Sequence, residues 1–267
     1  MQRKLTPDFI KDFKPGGKYD SIIPAVKADS DLSLEIRTKS EVKIYYNKGL
    51  ILTINNKGVI ILSDGYFRNQ ERPTFDLKSP QRYFAKAKEL IRAHSRKTEF
   101  TIQQNIAMSN QSSDSSYFVV DMEWQYPQYD IPSDDRIAKS RIDIIAIEKE
   151  TNDIILFELK QGTDALNGAS GVEDHLRKTS CLISNYKLCS HLREDVRNII
   201  EAKNALGLTD YPLPDDFGNI RQMFIFAYND DRALAEYRRR FVPILENAGV
   251  ETKYIDTRFS YKISYFD

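Results

Sequence analysis

Cysteine is nearly absent. Cys181 and Cys189 are the only two in 267 residues, and neither their spacing nor their neighbours suit a disulfide framework or a zinc site, so both are expected as buried, reduced thiols without chemistry. Net charge is absent too. The 39 Lys and Arg residues balance 39 Asp and Glu, so no overall positive field draws the chain to nucleic acid, and any phosphate binding must come from a local site. No apolar run approaches the roughly 18 residues of a membrane span, and the opening MQRKLTPDFIKDFKPGG has no apolar core of the signal-peptide kind. A cytoplasmic location is expected. The segment from Lys14 to Lys18, KPGGK, lacks the spaced glycines and the Ser or Thr after Lys that a phosphate loop requires, which excludes a nucleotide site there.

What is present suits a folded chain: 41% hydrophobic against 29% charged residues lies far from the composition of disordered proteins. The runs EVKIYY, LILTI and GVIIL, separated by the turn signals NKG and NNKG, predict a meander of about three strands. A polar, Pro-containing stretch follows and ends at Ser79-Pro80, a helix start with Ser as cap. The expected boundary lies there, between a β-rich N-terminal domain of residues 1–78 and a larger domain of residues 79–267. The segment QRYFAKAKELIRAHSRK places Tyr83, Phe84, Ala87, Leu90 and Ile91 at helical spacing, with basic residues elsewhere, and predicts an amphipathic helix. Beyond a Ser-rich loop come the strand patterns YFVVDMEWQY, RIDIIAIE and DIILFELKQ. The last two are almost continuously apolar, as in strands covered on both faces. Helical regions over VEDHLRKTSCLISNYKLC and EDVRNIIEAKNAL, a strand MFIFAY, a Pro-interrupted helix ALAEYRRRFVPILENAG and a late strand TKYIDT complete the order. That order predicts an α/β fold, a layered mixed sheet with helices on both sides.

Four Glu-x-Lys triplets occur: Glu41-Val-Lys43, Glu158-Leu-Lys160, Glu201-Ala-Lys203 and Glu251-Thr-Lys253. Only the second ends a run as apolar as IILF, where two charges are expensive to bury without a metal, partner or phosphate; the other three read as solvated surface. A two-residue turn at Thr151-Asn152 predicts Glu150 opposite Asp153, Asp143 opposite Lys160 and Ile145 opposite Glu158. Asp143, Glu158 and Lys160 then share one sheet face. Two neighbouring carboxylates repel each other and suit a hard divalent cation, Mg²⁺ with Mn²⁺ as a substitute, and a neighbouring Lys can orient a water or stabilise pentacoordinate charge. Asp143 and Glu158 are therefore the expected metal ligands and Lys160 the water-orienting or charge-stabilising group.

The stretch SRIDIIAIEKETNDIILFELKQG resembles the PD-(D/E)xK signature, in which an Arg-Ile-Asp strand is followed by a turn and an apolar strand ending Glu-Leu-Lys. The resemblance implies a restriction-endonuclease-like mixed β-sheet core flanked by helices, and a Mg²⁺-dependent nuclease hydrolysing phosphodiester bonds, with DNA as the expected substrate. It is confined at residue level to about 141–162. Ser140 stands where relatives carry Gly or Pro, and His175 stands near the position of a Gln that the family often carries on the following helix. The alternative is a catalytically inactive nucleic-acid- or protein-binding module on the same fold.

Further candidates follow. The resemblance implies a third acidic ligand on the strand before Asp143, where Glu123 stands; the alternative is a solvent-facing strand-edge Glu, and Glu89 on the preceding helix is its rival. Gln161 follows the triplet and is a candidate to hydrogen-bond a phosphate or a water. His175 divides between a cap or core histidine and a phosphate contact, and Asp121 between the site face and solvent. His94 and His191 read as helix-surface residues. Arg82, Lys86, Lys88, Arg92, Arg96 and Lys97 on one helix, and Arg238, Arg239 and Arg240 on another, are candidates for a phosphate grip, with a solvated face as the alternative. No membrane partner is expected. The N-terminal part is left with substrate recognition, partner binding or homodimerisation as its possible roles.

Overall fold

The structure, a computed structural model, describes residues 2–47, 49–61, 74–94, 98–112, 114–125, 141–162 and 171–264. Ser140, Arg96 and Lys97 lie outside the described residues, as does the side chain of His94. Two compact units are present, one of residues 1–104 with 197–213 and one of residues 105–196 with 214–267.

The first unit opens with α1 (Pro7–Lys11), where Thr6 Oγ1 accepts the Phe9 N–H and Pro7 starts the helix, a good N-terminal cap. The chain then turns through KPGGK. A Cβ on Gly17 would stand 2.5 Å from the carbonyl oxygens of Lys11 and Asp12, so backbone crowding explains that glycine. After α2 (Ile22–Lys27) comes a four-stranded antiparallel meander, β1 (Ser33–Arg37), β2 (Glu41–Tyr46), β3 (Gly49–Asn55) and β4 (Gly58–Ile61). The three strands expected from the sequence are β2 to β4. The fourth, β1, hides its signal because SLEIR buries Ser33 and Glu35 along with Leu34 and Ile36.

Helix α3 (Pro80–His94) buries Tyr83, Phe84, Ala87, Leu90 and Ile91, as the spacing predicts. Tyr83 Oη donates to the Ile51 carbonyl at 2.8 Å, and a Cβ on Gly49 would come within 2.7 Å of Ile91. The helix therefore lies directly on β3, and the expected boundary at 78/79 runs through the first unit. This unit also takes the C-terminal end of α6 (Tyr186–Ala205). There Lys203 Nζ meets Glu35 at 3.0 Å, both side chains almost fully enclosed. Burial alone would raise the Glu35 carboxyl, but Lys203, Arg37 and Ser33 together hold it below its usual range.

The second unit is built on β5 (Tyr117–Gln125), β6 (Arg141–Glu148), β7 (Ile154–Gln161), β8 (Ile220–Tyr228) and β9 (Glu251–Asp256), hydrogen-bonded in that order. The first two pairings are antiparallel and the last two parallel. The fold is mixed α/β. Residues 144–147 and 154–157 are all buried, as continuously apolar strands require. Helix α4 (Thr98–Ser109), absent from the sequence reading, precedes β5; α5 (Val172–Ile183) and α6 are separated at Asn185, whose Oδ1 accepts the N–H groups of Lys187 and Leu188. The Pro-interrupted helix is two, α7 (Asp231–Arg240) and α8 (Val242–Asn247), with Phe241 between them. Val172 of α5, Phe224 and Phe226 of β8, and Tyr237, Phe241 and Leu245 from α7 and α8 pack into one cluster. This cluster fixes the helical layer over one face of the sheet. No helix among the described residues is long and apolar enough to cross a membrane.

Candidate active site

The hairpin between β6 and β7 sets the geometry. Its loop has four residues rather than two: Glu148 N–H bonds to Asp153 O, Asn152 N–H to Glu148 O, and Asn152 takes a left-handed φ of 59°. Below the loop, Arg221 of β8 bonds both Glu148 and Asp153, tying the strand ends together. Ile145 consequently faces Leu156, not Glu158, and Ile144 faces Phe157. The register is two residues away from the expected one. A shift of two leaves every side chain on its expected face, and one further step levels Asp143 with Glu158 rather than with Lys160.

On the other side of β6, Met122 pairs with Ile144 and Trp124 with Ile142. Glu123 stands between those pairs, level with Asp143. Glu123, Asp143 and Glu158 thus form a row across three strands. The row interrupts the regular ladder. The β6–β7 pairing stops at Ile144–Phe157, and beyond it the Asp143 side chain accepts the Leu159 N–H at 2.9 Å. Glu123 has φ 56°, a left-handed conformation inside a strand, and accepts from Arg141 Nη1 at 2.9 Å. Strained backbone of this kind costs about 1–3 kcal/mol and is often found at functional sites.

Glu158 and Lys160 are each only 4% exposed. Lys160 Nζ donates to Glu158 Oε1 at 2.8 Å, while His175 Nδ1, from the first turn of α5, lies 2.9 Å from Glu158 Oε2. Both oxygens of the carboxylate are therefore engaged. Asp143 is half-buried as a residue with its carboxyl enclosed; burial, then Glu158 and more weakly Glu123, push that carboxyl well above its usual range, against the Leu159 N–H and Lys160. His175 is pulled down to about 4, chiefly by burial and by the charge of Lys160, against Asp143. It is neutral at neutral pH, so against a carboxylate the shared hydrogen is carried by Nδ1.

No protein-family model, curated protein or solved structure matches this chain.

Several sequence candidates lie elsewhere or are occupied. Strand alternation turns Gln161 to the face opposite Glu158 and Lys160, which separates it from the row. Asp121 is buried opposite Ile145 on the row's own face, not in solvent. Glu89 belongs to the first unit, where it pairs with Lys86 at 2.9 Å. Lys88 is held by Asp29 and Asp31 at 2.8 Å each, and Arg92 bonds Tyr46 Oη at 2.5 Å. These contacts already engage three of the basic side chains on α3. Arg82 is exposed. On α7, Arg239 and Arg240 pair with Glu236, and Arg238 lies over the Tyr254 ring.

Three expectations need correction. Lys203 and Lys253 are buried rather than solvated; Glu35 compensates the first, and the second lies on β9 paired with Ile225 of β8. His191 is largely enclosed on α6, with Nε2 3.4 Å from Asp195 Oδ2, which also accepts from Trp124 Nε1. The cysteines are free but half-buried, and Cys189 Sγ bonds the Ile183 carbonyl at 3.2 Å.

Among the described residues, no group of three or more His, Cys, Asp or Glu is arranged to hold a metal ion. Mg²⁺ needs fewer, being commonly held by one or two carboxylates with waters completing its octahedron. Asp143 and Glu158 offer two hard oxygen donors at a place where like charges meet, so the donor chemistry fits such a cation. Glu123 is the third carboxylate of the row, turned to Arg141.

Proposed function

We propose that the chain is a divalent-metal-dependent nuclease of the PD-(D/E)xK kind, acting on phosphodiester bonds and most readily on DNA, with a restriction-endonuclease-like second unit. The observation that carries this reading is a buried Glu158–Lys160 pair beside Asp143, whose carboxyl is held well above its usual range by burial and by its acidic neighbours. Glu123, Asp143 and Glu158 bring three carboxyls to one place on the sheet, which suits a cation. Asp143 and Glu158 would hold the cation, Mg²⁺ or Mn²⁺, with Glu123 as the candidate third ligand. When bound, the cation would polarise a phosphoryl oxygen and acidify a water. Lys160 would orient the attacking water or stabilise charge on the phosphorane, its Nζ being fixed by Glu158 Oε1.

The test is a cleavage assay on supercoiled, linear and single-stranded DNA and on RNA with Mg²⁺, Mn²⁺ or EDTA. It is paired with calorimetric metal binding. Asp143→Ala and Glu158→Ala are expected to abolish cleavage and weaken metal binding. Lys160→Ala is expected to keep metal binding and lose most of the rate, by ~10²-fold or more. A parent that cleaves none of these substrates with either metal sinks the nuclease reading in favour of a binding module on the same fold.

A further inference from the structure

Glu158 is held by two donors from different elements. Lys160 Nζ, two residues along the same strand, takes Oε1 at 2.8 Å. Alone, that contact leaves the carboxylate free to turn about its last bond, since a single ammonium donor has no preferred plane. The second contact comes from across the helical layer, where His175 Nδ1 reaches Oε2 at 2.9 Å. Two donors on two oxygens fix the plane of the carboxylate.

His175 is itself anchored. Its N–H bonds the Gly171 carbonyl at 3.2 Å in the first turn of α5, and its own carbonyl accepts from Gln222 Nε2 at 3.2 Å. Gln222 stands on β8 opposite Leu156, two residues from the Phe224–Glu158 pair. The backbone of His175 is therefore tied to the strand neighbouring β7. The side chain spans from helix to site while its main chain is pinned to the sheet.

We propose that His175 is a positioning residue for Glu158: its Nδ1–H holds Oε2 and so fixes the plane of the carboxylate beside Asp143. The inference deepens the metal-dependent reading above and rests on it. It separates His175 from a phosphate contact, because the ring nitrogen near the site is committed to a carboxylate. Loss of a hydrogen-bond partner to a metal-ligating carboxylate typically costs ~10–100-fold in metal affinity or activity.

The test uses His175→Asn, His175→Gln and His175→Ala in the full chain. Asn places an amide N–H near the position of Nδ1, whereas Gln places it near that of Nε2. Mg²⁺ affinity by calorimetry and kcat for DNA cleavage are measured on each, with melting midpoints to confirm folding. Mg²⁺ affinity is expected to fall ~10-fold or more in the Ala and Gln variants, and to return to within about threefold of the parent in Asn. A His175→Ala chain that binds Mg²⁺ as tightly as the parent overturns the proposal, as does an Asn variant no better than Ala. A parent that binds no Mg²⁺ overturns it together with the metal-dependent reading. If the parent binds Mg²⁺ with this Ala, Gln and Asn pattern but cleaves nothing, the positioning role stands and the nuclease reading fails alone.

Discussion

Asp143→Asn separates the two demands made on the acidic row. The carboxyl of Asp143 sits level with Glu158 on a neighbouring strand. Side chains so placed are about 5 Å apart, and two unit charges at ~5 Å repel by roughly 3 kcal/mol at an effective dielectric of ~20. The Leu159 N–H and Lys160 offset part of this. Asn keeps an oxygen to accept from Leu159 but carries no charge, so in EDTA at neutral pH the variant should be more stable by about 1–2 kcal/mol. That corresponds to ~2–8 °C in melting midpoint for a unit of this size. The pH dependence has a definite sign. Asp143 has a folded pKa above its unfolded one, so its contribution is fully present below the unfolded value and lost as pH rises through the folded value. The stability gap between Asn variant and parent should therefore close in acid and open toward neutrality. With Mg²⁺ the order should reverse: ligand at ~100 times its Kd stabilises the parent by about 2.7 kcal/mol, and the variant, lacking one ligand, gains little. Thermal melts over pH 4–8 (about the carboxylate-to-neutral range), with EDTA and with Mg²⁺, check all three points. An Asn variant less stable than the parent in EDTA at neutral pH, or an equal Mg²⁺ effect on both, would refute the reasoning.

Lys203→Met should cost about 3–5 kcal/mol in denaturant unfolding, because Glu35 is left enclosed without its cation. In the parent, the Glu35 carboxyl is held low, so its stabilisation is present above the ordinary carboxylate range and lost as pH falls through the folded value; the variant should lose that acid dependence. Glu123→Gly should relieve left-handed strain of about 1–3 kcal/mol against roughly 0.5–1 kcal/mol for glycine in a strand, and so raise stability, while calorimetry shows weaker Mg²⁺ binding if Glu123 is the third ligand. Arg82→Ala should weaken DNA binding and flatten its salt dependence by about one counterion, whereas Lys88→Ala, whose cation is held by Asp29 and Asp31, should lower the melting midpoint and leave the salt slope unchanged. Filter binding across a salt series distinguishes the two.

Local patterns carried most of the fold. Tyr83, Phe84, Ala87, Leu90 and Ile91 are buried along α3 because helical spacing leaves no other face for them. The apolar strands of the second unit were equally plain. One source of the misses is polar residues whose burial depends on distant partners. Glu35 makes β1 look half-solvated until Lys203, 168 residues away, is brought to it. The expected boundary at 78/79 falls inside the first unit for a different reason. Pro80 does start a helix, but nothing local says that Ile91 will lie on Gly49 and keep that helix with the meander.

The acidic row shows why a site can be legible when its register is not. The turn chemistry at Thr151-Asn152 suggested a two-residue loop, and the chain makes a four-residue one with Asn152 left-handed. Lengthening the loop symmetrically moves the pairing by two, and strand alternation repeats every two residues. The face shared by Asp143, Glu158 and Lys160 is insensitive to that error, whereas a slip of one would have put Asp143 on the far side. What alternation does not carry is contact across layers. His175 reaches Glu158 only because the packing of Val172 on Phe224 and Phe226 seats α5 over that face. The strand chemistry of the site is thus written in short runs of sequence, and the orientation of its central carboxylate is written in the core.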